Sequence, residues 1–354
     1  MIRFGVIGTG WRTRFFLRIA DARPDLFEVV GVVTRNIEKA QTWVKPYDVP
    51  FFESIDQLLA QKPLYVITSL PRSVNPAVIT ELVEKNIPVL SETPPATSVE
   101  EMAALVKLVQ NGAKIAVAEQ YHLQPHHEVR INLANSGKMG RISQAQVSVA
   151  HGYHGISLIR RLLGITYEDA TISARKFVSP VVHGLERNGL PEQEEMIDST
   201  QIIAQFDFGE KLGIFDFAGE QYRSYIRKQR ILVRGDRGEL INDRVIYLQD
   251  YRTPIQLGFE RRNAGESGNL EGYHFKGIQL GSEWVYHNPL APAALSDEDI
   301  AIGQCMLKMA DYVGGADPFY SLAEACQDRY LDILLAQSLE QGAPVRSSQQ
   351  MWTT

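Results

Sequence analysis

The chain is poor in cysteine, with only Cys305 and Cys326 among 354 residues. Two residues cannot make a disulfide framework. Both lie in apolar, helix-patterned stretches, where buried reduced thiols are expected. Their separation also speaks against a zinc knuckle. Long hydrophobic runs are missing too. Hydrophobic residues make up 44% of the chain, but no stretch reaches the ~18 residues a spanning helix needs, so no membrane partner is expected. Basic charge is in deficit. A net charge of −6 argues against a nucleic-acid partner, because phosphate backbones require a basic surface. No Gly-x-Ser-x-Gly elbow occurs, so serine-nucleophile hydrolysis has no support. Low-complexity segments and short-period repeats are absent. An apolar strand begins at Ile2, which leaves no room for a targeting segment and points to a cytoplasmic location.

That first strand leads into the most informative stretch. Phe4 to Thr13 reads FGVIGTGWRT: strand, Gly8-Thr9-Gly10, then a helix-competent segment from Thr13 to Ala20. A glycine at such a turn permits unusual φ. The next lets backbone approach a pyrophosphate, and the helix N-terminus offers N–H groups and partial positive charge. A dinucleotide is the natural ligand. The third glycine of the fingerprint is replaced by Thr13, which packs less closely. A tight β–α turn without a ligand is the alternative.

Strand and helix signals alternate up to residue 122. Strands are expected at Ile2–Ile7, Phe27–Val33, Leu64–Thr68, Pro88–Leu90 and Lys114–Ala118. Between them, Asn36 caps a helix from Ile37 to Val44, and Ser54/Gln57 and Ser98/Glu101 have capping-box spacing. A further helix runs from Ala77 to Lys85. Five strands with intervening helices predict a doubly wound parallel sheet that binds ligands at the carboxyl ends of its strands. The expected cofactor-binding residues are Gly8, Thr9, Gly10, Trp11 and Arg12 at the turn, and Thr34 and Arg35 after the second strand. Ser69, Leu70, Pro71, Asn75, Glu92, Thr93, Pro94 and Gln120 complete the set at the later strand ends. The second strand ends in Thr34-Arg35-Asn36, with no carboxylate to repel a 2′-phosphate and an arginine able to pair with one. NADP(H) is therefore favoured over NAD(H), with a solvated Arg35 as the alternative.

Beyond residue 122 the patterning changes. Ser143–Val149 alternates like a strand. Ser199–Phe208 and Leu212–Phe217 flank a Gly209-Glu-Lys turn, and Arg230–Arg234 and Glu239–Tyr247 flank Gly-Asp-Arg-Gly. Helices return at Asp297–Val313 and Ser321–Gln341. The expected domains are 1–122, 123–345 and a tail at 346–354. Leu158, Ile159, Leu162 and Leu163 should bury the helix that follows His154, with Arg160 and Arg161 read as solvated charges and binding of an anionic substrate as the alternative. His122, His126 and His127 read as exposed histidines. Pro125 breaks the spacing a metal site would need, so no metal is expected. The carboxylates of Glu192–Glu195 read as a solvent-facing loop.

Several segments together resemble the Gfo/Idh/MocA oxidoreductases, the family of glucose–fructose oxidoreductase and inositol dehydrogenase. They are the N-terminal turn, Asn86-Ile-Pro-Val-Leu-Ser-Glu92-Thr93-Pro94 and Gly137-Lys-Met-Gly140-Arg-Ile. His154-Gly-Ile-Ser-Leu-Ile-Arg-Arg-Leu-Leu-Gly164 and the closing Tyr320–Val345 segment, with Leu322-Ala-Glu-Ala and Gln327-Asp328, complete them. The resemblance covers nearly the whole chain. It implies an α/β architecture: an N-terminal Rossmann sheet that binds nucleotide, then an α+β domain with a large, mostly antiparallel sheet. One face of that sheet would make subunit contacts in a homodimer or homotetramer. The final helix would return toward the first domain. Two departures stand out. The lysine of the family's Glu-Lys-Pro is Thr93 here, and a hydroxyl cannot act as a general base near neutral pH. The aspartate four residues before the family histidine is Ala150 if that histidine is His154.

The expected function is hydride transfer between nicotinamide and a hydroxylated small molecule such as a sugar or polyol. His154, His151 and Tyr121 are the catalytic candidates for handling the alcohol proton, with Tyr153 as a further carrier. One alternative is a non-catalytic NAD(P)-binding sensor or interaction protein. Another is a lyase or glycosidase that recycles its NAD within each turnover.

Overall fold

The structure is a computed structural model that describes residues 1–44, 47–186 and 189–353. Thr354, the last residue of the expected tail, lies outside them. The chain runs β1 (Ile2–Ile7), α1 (Thr13–Ala22), β2 (Phe27–Val33), α2 (Ile37–Val44), β3 (Phe51–Phe52), α3 (Ile55–Leu59), β4 (Tyr65–Thr68), α4 (Asn75–Glu84), β5 (Val89–Ser91), α5 (Val99–Gln110) and β6 (Ile115–Val117). It continues through α6 (Pro125–Asn135), β7 (Ile142–Ser148), α7 (Gly152–Leu163), β8 (Thr171–Val182), β9 (Met196–Asp207), β10 (Leu212–Ala218), β11 (Arg230–Gly235), β12 (Gly238–Ile241) and β13 (Arg244–Leu248). The last elements are β14 (Pro254–Ala264), β15 (His274–Leu280), β16 (Glu283–His287), α8 (Asp297–Val313), α9 (Leu322–Gln341) and β17 (Val345–Arg346). None of the described helices is long and apolar enough to cross a membrane.

The chain divides into two compact units. Unit 1 comprises Met1–Pro125, Arg261–Ile278 and Trp284–Cys326. Its parallel sheet has the order β3-β2-β1-β4-β5-β6, which reverses direction between β1 and β4 and so creates a switch point at their carboxyl ends. The sheet has six strands rather than the five expected. β3 holds only Phe51 and Phe52, too short for any periodicity. It forms because Val32 N–H bonds Pro50 O at 2.8 Å and Thr34 N–H bonds Phe52 O at 3.0 Å. Phe4, Val6, Val32, Tyr65, Ile67 and Leu90 are buried in the sheet, and Phe16, Leu17, Ile19, Ala301 and Met306 pack onto them. Cys305 and Cys326 are buried, unpaired thiols, as expected. Capping boxes at Ser54/Gln57 and Ser98/Glu101 are present. Asn36 caps α2 through the Lys39 N–H at 2.8 Å. The helix α4 starts two residues earlier than expected, because Pro76 in its first turn has no N–H to lose there.

Unit 2 comprises His126–Glu260, Gln279–Glu283 and Gln327–Thr354. The second sheet has eleven strands in the order β16-β15-β14-β13-β12-β11-β7-β10-β9-β8-β17. The pairs around β7 show its mixed character: β7 runs parallel to β10 and antiparallel to β11. The expected single strand Glu239–Tyr247 is two strands. Asn242, at φ 52°, turns the chain between β12 and β13, a left-handed conformation that asparagine tolerates better than most side chains. The helix α7 packs on β10 through glycine contacts. A Cβ on Gly213 would come within 2.5 Å of Ile159, and one on Gly155 within 2.5 Å of the Phe215 ring. Leu158, Ile159, Leu162 and Leu163 are buried, as their spacing predicts. Arg160 is not the solvated charge expected. It is buried, and pairs with Asp328 of α9 at 2.6 Å, because its position falls on the buried side of α7. On the opposite face of the sheet, Phe177, Ile203, Ile241 and Ile246 are exposed. The segment Glu192–Glu195 is exposed, as expected.

Candidate functional site

The glycine turn is built by the ends of four parallel strands. Gly8 N–H bonds Val33 O at 3.0 Å, Ser69 N–H bonds Ile7 O at 2.8 Å, and Glu92 N–H bonds Thr68 O at 3.1 Å. Gly8 sits at φ 107°, and a Cβ on it would lie 2.1 Å from Ser69 O, so no other residue fits. Gly10 differs. A Cβ there would come no closer than 3.7 Å to Ser69 O. The protein's own packing does not require this glycine, so its bareness keeps space open above the turn, which is the room a pyrophosphate needs. Thr13 closes the turn in a different way from a third glycine: it is wholly buried and donates its hydroxyl to Gly8 O at 3.0 Å.

The helix start beside that space is left uncapped. The helices α3, α5 and α8 each begin with a serine capping box. No side chain caps α1, and its first turn holds no acidic residue. Thr13 N–H bonds Gly10 O at 3.1 Å and Phe15 N–H bonds Arg12 O at 3.0 Å, and the partial positive charge of the helix start suits an anion. Close by in the fold, Thr68 Oγ1 and Asn75 Oδ1 are buried at the ends of β4 and α4 with no hydrogen-bond partner among the described residues. The Asn75 amide is held by Ser91 Oγ at 2.9 Å and Pro95 O at 3.3 Å. These features fit a dinucleotide.

Arg12 ties the turn to the rest of the unit. Its guanidinium lies 2.7 Å from Glu298 and 3.6 Å from Glu92, and 5.0 Å from the ring centres of both Trp11 and Phe15. With its amide oriented to satisfy both contacts, Gln120 donates to Ala118 O and accepts from Arg12, each at 3.1 Å. Burial alone would lower the Arg12 pKa. The carboxylates of Glu92 and Glu298 outweigh it, so the guanidinium is held above its ordinary value. Tyr121 contributes to the same field, and its N–H bonds Glu119 Oε1 at 3.3 Å. At the end of β2, Thr34 is buried and Arg35 and Asn36 are exposed, with no carboxylate among the three. Of the remaining expected residues, Ser69 and Pro94 are buried, Leu70 and Thr93 are half-buried, and Pro71 is exposed.

The histidine candidates of unit 2 meet at the start of α7. His151 is its N-cap residue and His154 lies in its first turn. Their rings are 5.0 Å apart and nearly perpendicular. His154 is buried. Gly152 lies between them, and a Cβ there would meet the carboxylate of Asp332, its Oδ1 at 2.2 Å. The position four residues before His154 is Ala150, buried and without an acid. A tyrosine that the sequence did not single out completes the group. Tyr222 Oη lies 2.6 Å from His151 Nδ1 and accepts the His151 N–H at 3.0 Å. No local motif marks Tyr222. It reaches His151 because the turn Gly219–Tyr222 follows β10, the parallel neighbour of β7.

His122 and His127 are buried rather than exposed. His122 stacks on Tyr320 at 5.1 Å, and His127 lies 3.0 Å from Arg130. Among the described residues, no group of three His, Cys, Asp or Glu side chains could hold a metal ion.

A six-stranded parallel sheet with a glycine turn at its switch point, together with a large, mostly antiparallel sheet, makes this a Rossmann-containing α/β protein. Residues 2–121 match the model of the Gfo/Idh/MocA oxidoreductase family, described as an NAD-binding Rossmann fold. The uncharacterized protein YMR315W of Saccharomyces cerevisiae is 26% identical over 130 residues, 35% of this chain and 37% of its own length. The uncharacterized oxidoreductase YgjR of Escherichia coli is 26% identical over 147 residues, 40% of this chain and 44% of its own length. The matched stretches therefore span less than half of either relative. Among solved structures, levoglucosan dehydrogenase in complex with NADH and levoglucosan has the same fold. Its TM-score is 0.70 at 14% identity, over 98% of this chain and 100% of that one.

Proposed function

We propose that this protein is a Gfo/Idh/MocA-type, NAD(P)-dependent oxidoreductase acting on a CH–OH group of a sugar, polyol or related small molecule. The observation that carries this reading is the space at Gly10 beside the uncapped start of α1, in the segment that matches the family. When bound, a dinucleotide would supply the hydride chemistry. Gly8, Thr9 and Gly10 would hold its diphosphate, with Ser69, Glu92 and Gln120 at the neighbouring strand ends. Arg12 keeps the turn in place. Arg35, exposed after β2 with no acid beside it, would meet a 2′-phosphate, which favours NADP(H). His154 and His151 would handle the alcohol proton, with Tyr121 as a further candidate. The levoglucosan bound to the structural relative agrees with a hydroxylated substrate. The exposed sheet face carrying Phe177, Ile203, Ile241 and Ile246 would pair copies of the chain into a homodimer or homotetramer, and a cytoplasmic location goes with the same reading.

A second reading has specific support in Thr93 and Ala150, which stand where the family resemblance implies a lysine and an aspartate. A protein lacking both would bind dinucleotide and sense its state without turnover. One titration and one turnover assay separate the two. The expected results are saturable quenching of Trp11 by NADPH, weakened at least tenfold in Arg35→Ala, and hydride transfer with a polyol or sugar that is lost in His154→Ala. Binding without turnover across a broad polyol and sugar panel would favour the sensor. No binding of either nucleotide would end both.

A further inference from the structure

We propose that Asn75 is a positioning residue for the nucleotide site described above. It touches no part of the nucleotide. It fixes the turn that follows β5, and through that turn it sets where Glu92 meets Arg12. The inference rests on the oxidoreductase reading for its ligand, but every contact that carries it lies within unit 1.

The turn lacks backbone donors of its own. It reads Glu92-Thr93-Pro94-Pro95, and two prolines in succession supply no N–H group. The chain enters it through a bond from Glu92 N–H to Thr68 O at 3.1 Å. Two of its carbonyls then take side-chain donors. Ser91 Oγ donates to Glu92 O at 2.9 Å. Asn75 Nδ2 donates to Ser91 Oγ at 2.9 Å and to Pro95 O at 3.3 Å. One amide therefore ties the residue before the turn to the residue that ends it.

The residue type follows from this arrangement. Pro95 O can only accept, so the amide nitrogen faces it, and both hydrogens of Nδ2 are used. A carboxylate of the same shape has no hydrogen to give, and a hydroxyl has one. Asn75 opens α4 with Pro76 behind it, while Ser91 is the register partner of Thr68 on the neighbouring strand. Asn75 is 2% exposed and Ser91 is wholly buried. The Asn75 oxygen is buried as well. The sequence places Asn75 among the cofactor contacts, but an amide enclosed in this way acts on a nucleotide only through what it holds.

What it holds is Glu92. That carboxylate lies 3.6 Å from Arg12 Nε, and Arg12 follows the glycine turn directly. The same guanidinium meets Glu298 at 2.7 Å. A turn released at Pro95 carries Glu92 away from the arginine and leaves Glu298 as the remaining carboxylate of the pair. Asn75 thus links the end of β5 to the glycine turn after β1.

The test compares crystals of the unliganded protein, of its NADPH complex and of Asn75→Leu, which keeps the side-chain bulk and removes the donors. In the variant, residues 92–95 are expected to be displaced and the contact of Glu92 with Arg12 lost. Its NADPH affinity, titrated where the variant is fully folded, is expected to fall on the order of tenfold. Ser91→Ala removes one link and leaves Asn75 in place. It is expected to give a smaller loss in the same direction, and it decides the matter if Asn75→Leu does not fold. The double variant is expected to bind no more weakly than Asn75→Leu alone, because both substitutions act on one turn. Additive losses overturn the inference. So does a nucleotide atom bonded to the Asn75 amide in the NADPH complex, an unmoved turn in Asn75→Leu, or undiminished affinity in both single variants. Absence of NADPH binding by the unsubstituted protein overturns the oxidoreductase reading instead. The position of the turn in the unliganded crystals then still shows whether Asn75 holds it.

Discussion

At the residue scale, the decisive positions are those where one side chain serves more than one element. Arg12 is the clearest. It belongs to the glycine turn, yet its charge is matched by Glu92 after β5 and Glu298 in α8. Replacing it removes the cation that Glu92 and Glu298 share. Arg12→Met is expected to cost about 3 kcal/mol in unit 1, at the low end for a broken buried pair because Glu298 keeps a third of its surface in water. Denaturant unfolding followed by Trp11 fluorescence measures this. NADPH affinity should fall with it, since the turn loses its anchor. Tyr222 is the residue-scale lesson in the opposite direction. No neighbour in sequence marks it, and only strand pairing brings it to His151.

At the element scale, local sequence governs helix ends while packing governs helix faces. Glu101 illustrates the first. It accepts hydrogen bonds from the Thr97 hydroxyl and backbone and from the Ser98 N–H, which lower its pKa below the ordinary glutamate value. A carboxylate with a depressed folded pKa stabilises above its unfolded pKa, and the benefit is lost as pH falls through the folded one. Glu101→Gln is therefore expected to be slightly less stable than the unsubstituted protein at pH 7, with the gap closing below about pH 4. Thermal melts across that range test it, and a gap that widens in acid would contradict it. Arg160 illustrates the second point. It is expected from the sequence to be a solvated charge, but the tertiary fold buries it against Asp328. Arg160→Met should cost about 3–5 kcal/mol, and much of that should return in Arg160→Met/Asp328→Leu, because the isolated charge rather than the lost pair is what destabilises. A double-mutant cycle by denaturant melting measures the coupling.

At the scale of the whole molecule, each unit relies on a dry core rather than on covalent staples. Burial holds the thiols of Cys305 and Cys326 well above the ordinary cysteine pKa, so neither presents a thiolate near neutral pH. With an aromatic disulfide reagent at pH 8, both are expected to react orders of magnitude more slowly in the native protein than in guanidinium. Rapid labelling of either one under native conditions would show that its helix opens locally.

The sequence by itself determined what depends on neighbours along the chain. Strand alternation, serine caps, the Gly8–Gly10 turn and the Asp297–Val313 helix could all be read from spacing, because local backbone energetics and hydrophobic period act within a few residues. Only the tertiary structure decided what depends on distant partners. A two-residue strand exists because β2 offers it hydrogen bonds. An asparagine divides one expected strand into two. Arg160 and His122 are buried because Asp328 and Tyr320 come to meet them. A turn glycine, Gly10, is revealed as unneeded by packing and therefore available to a ligand. These are long-range contacts, and no window of sequence contains both halves of them.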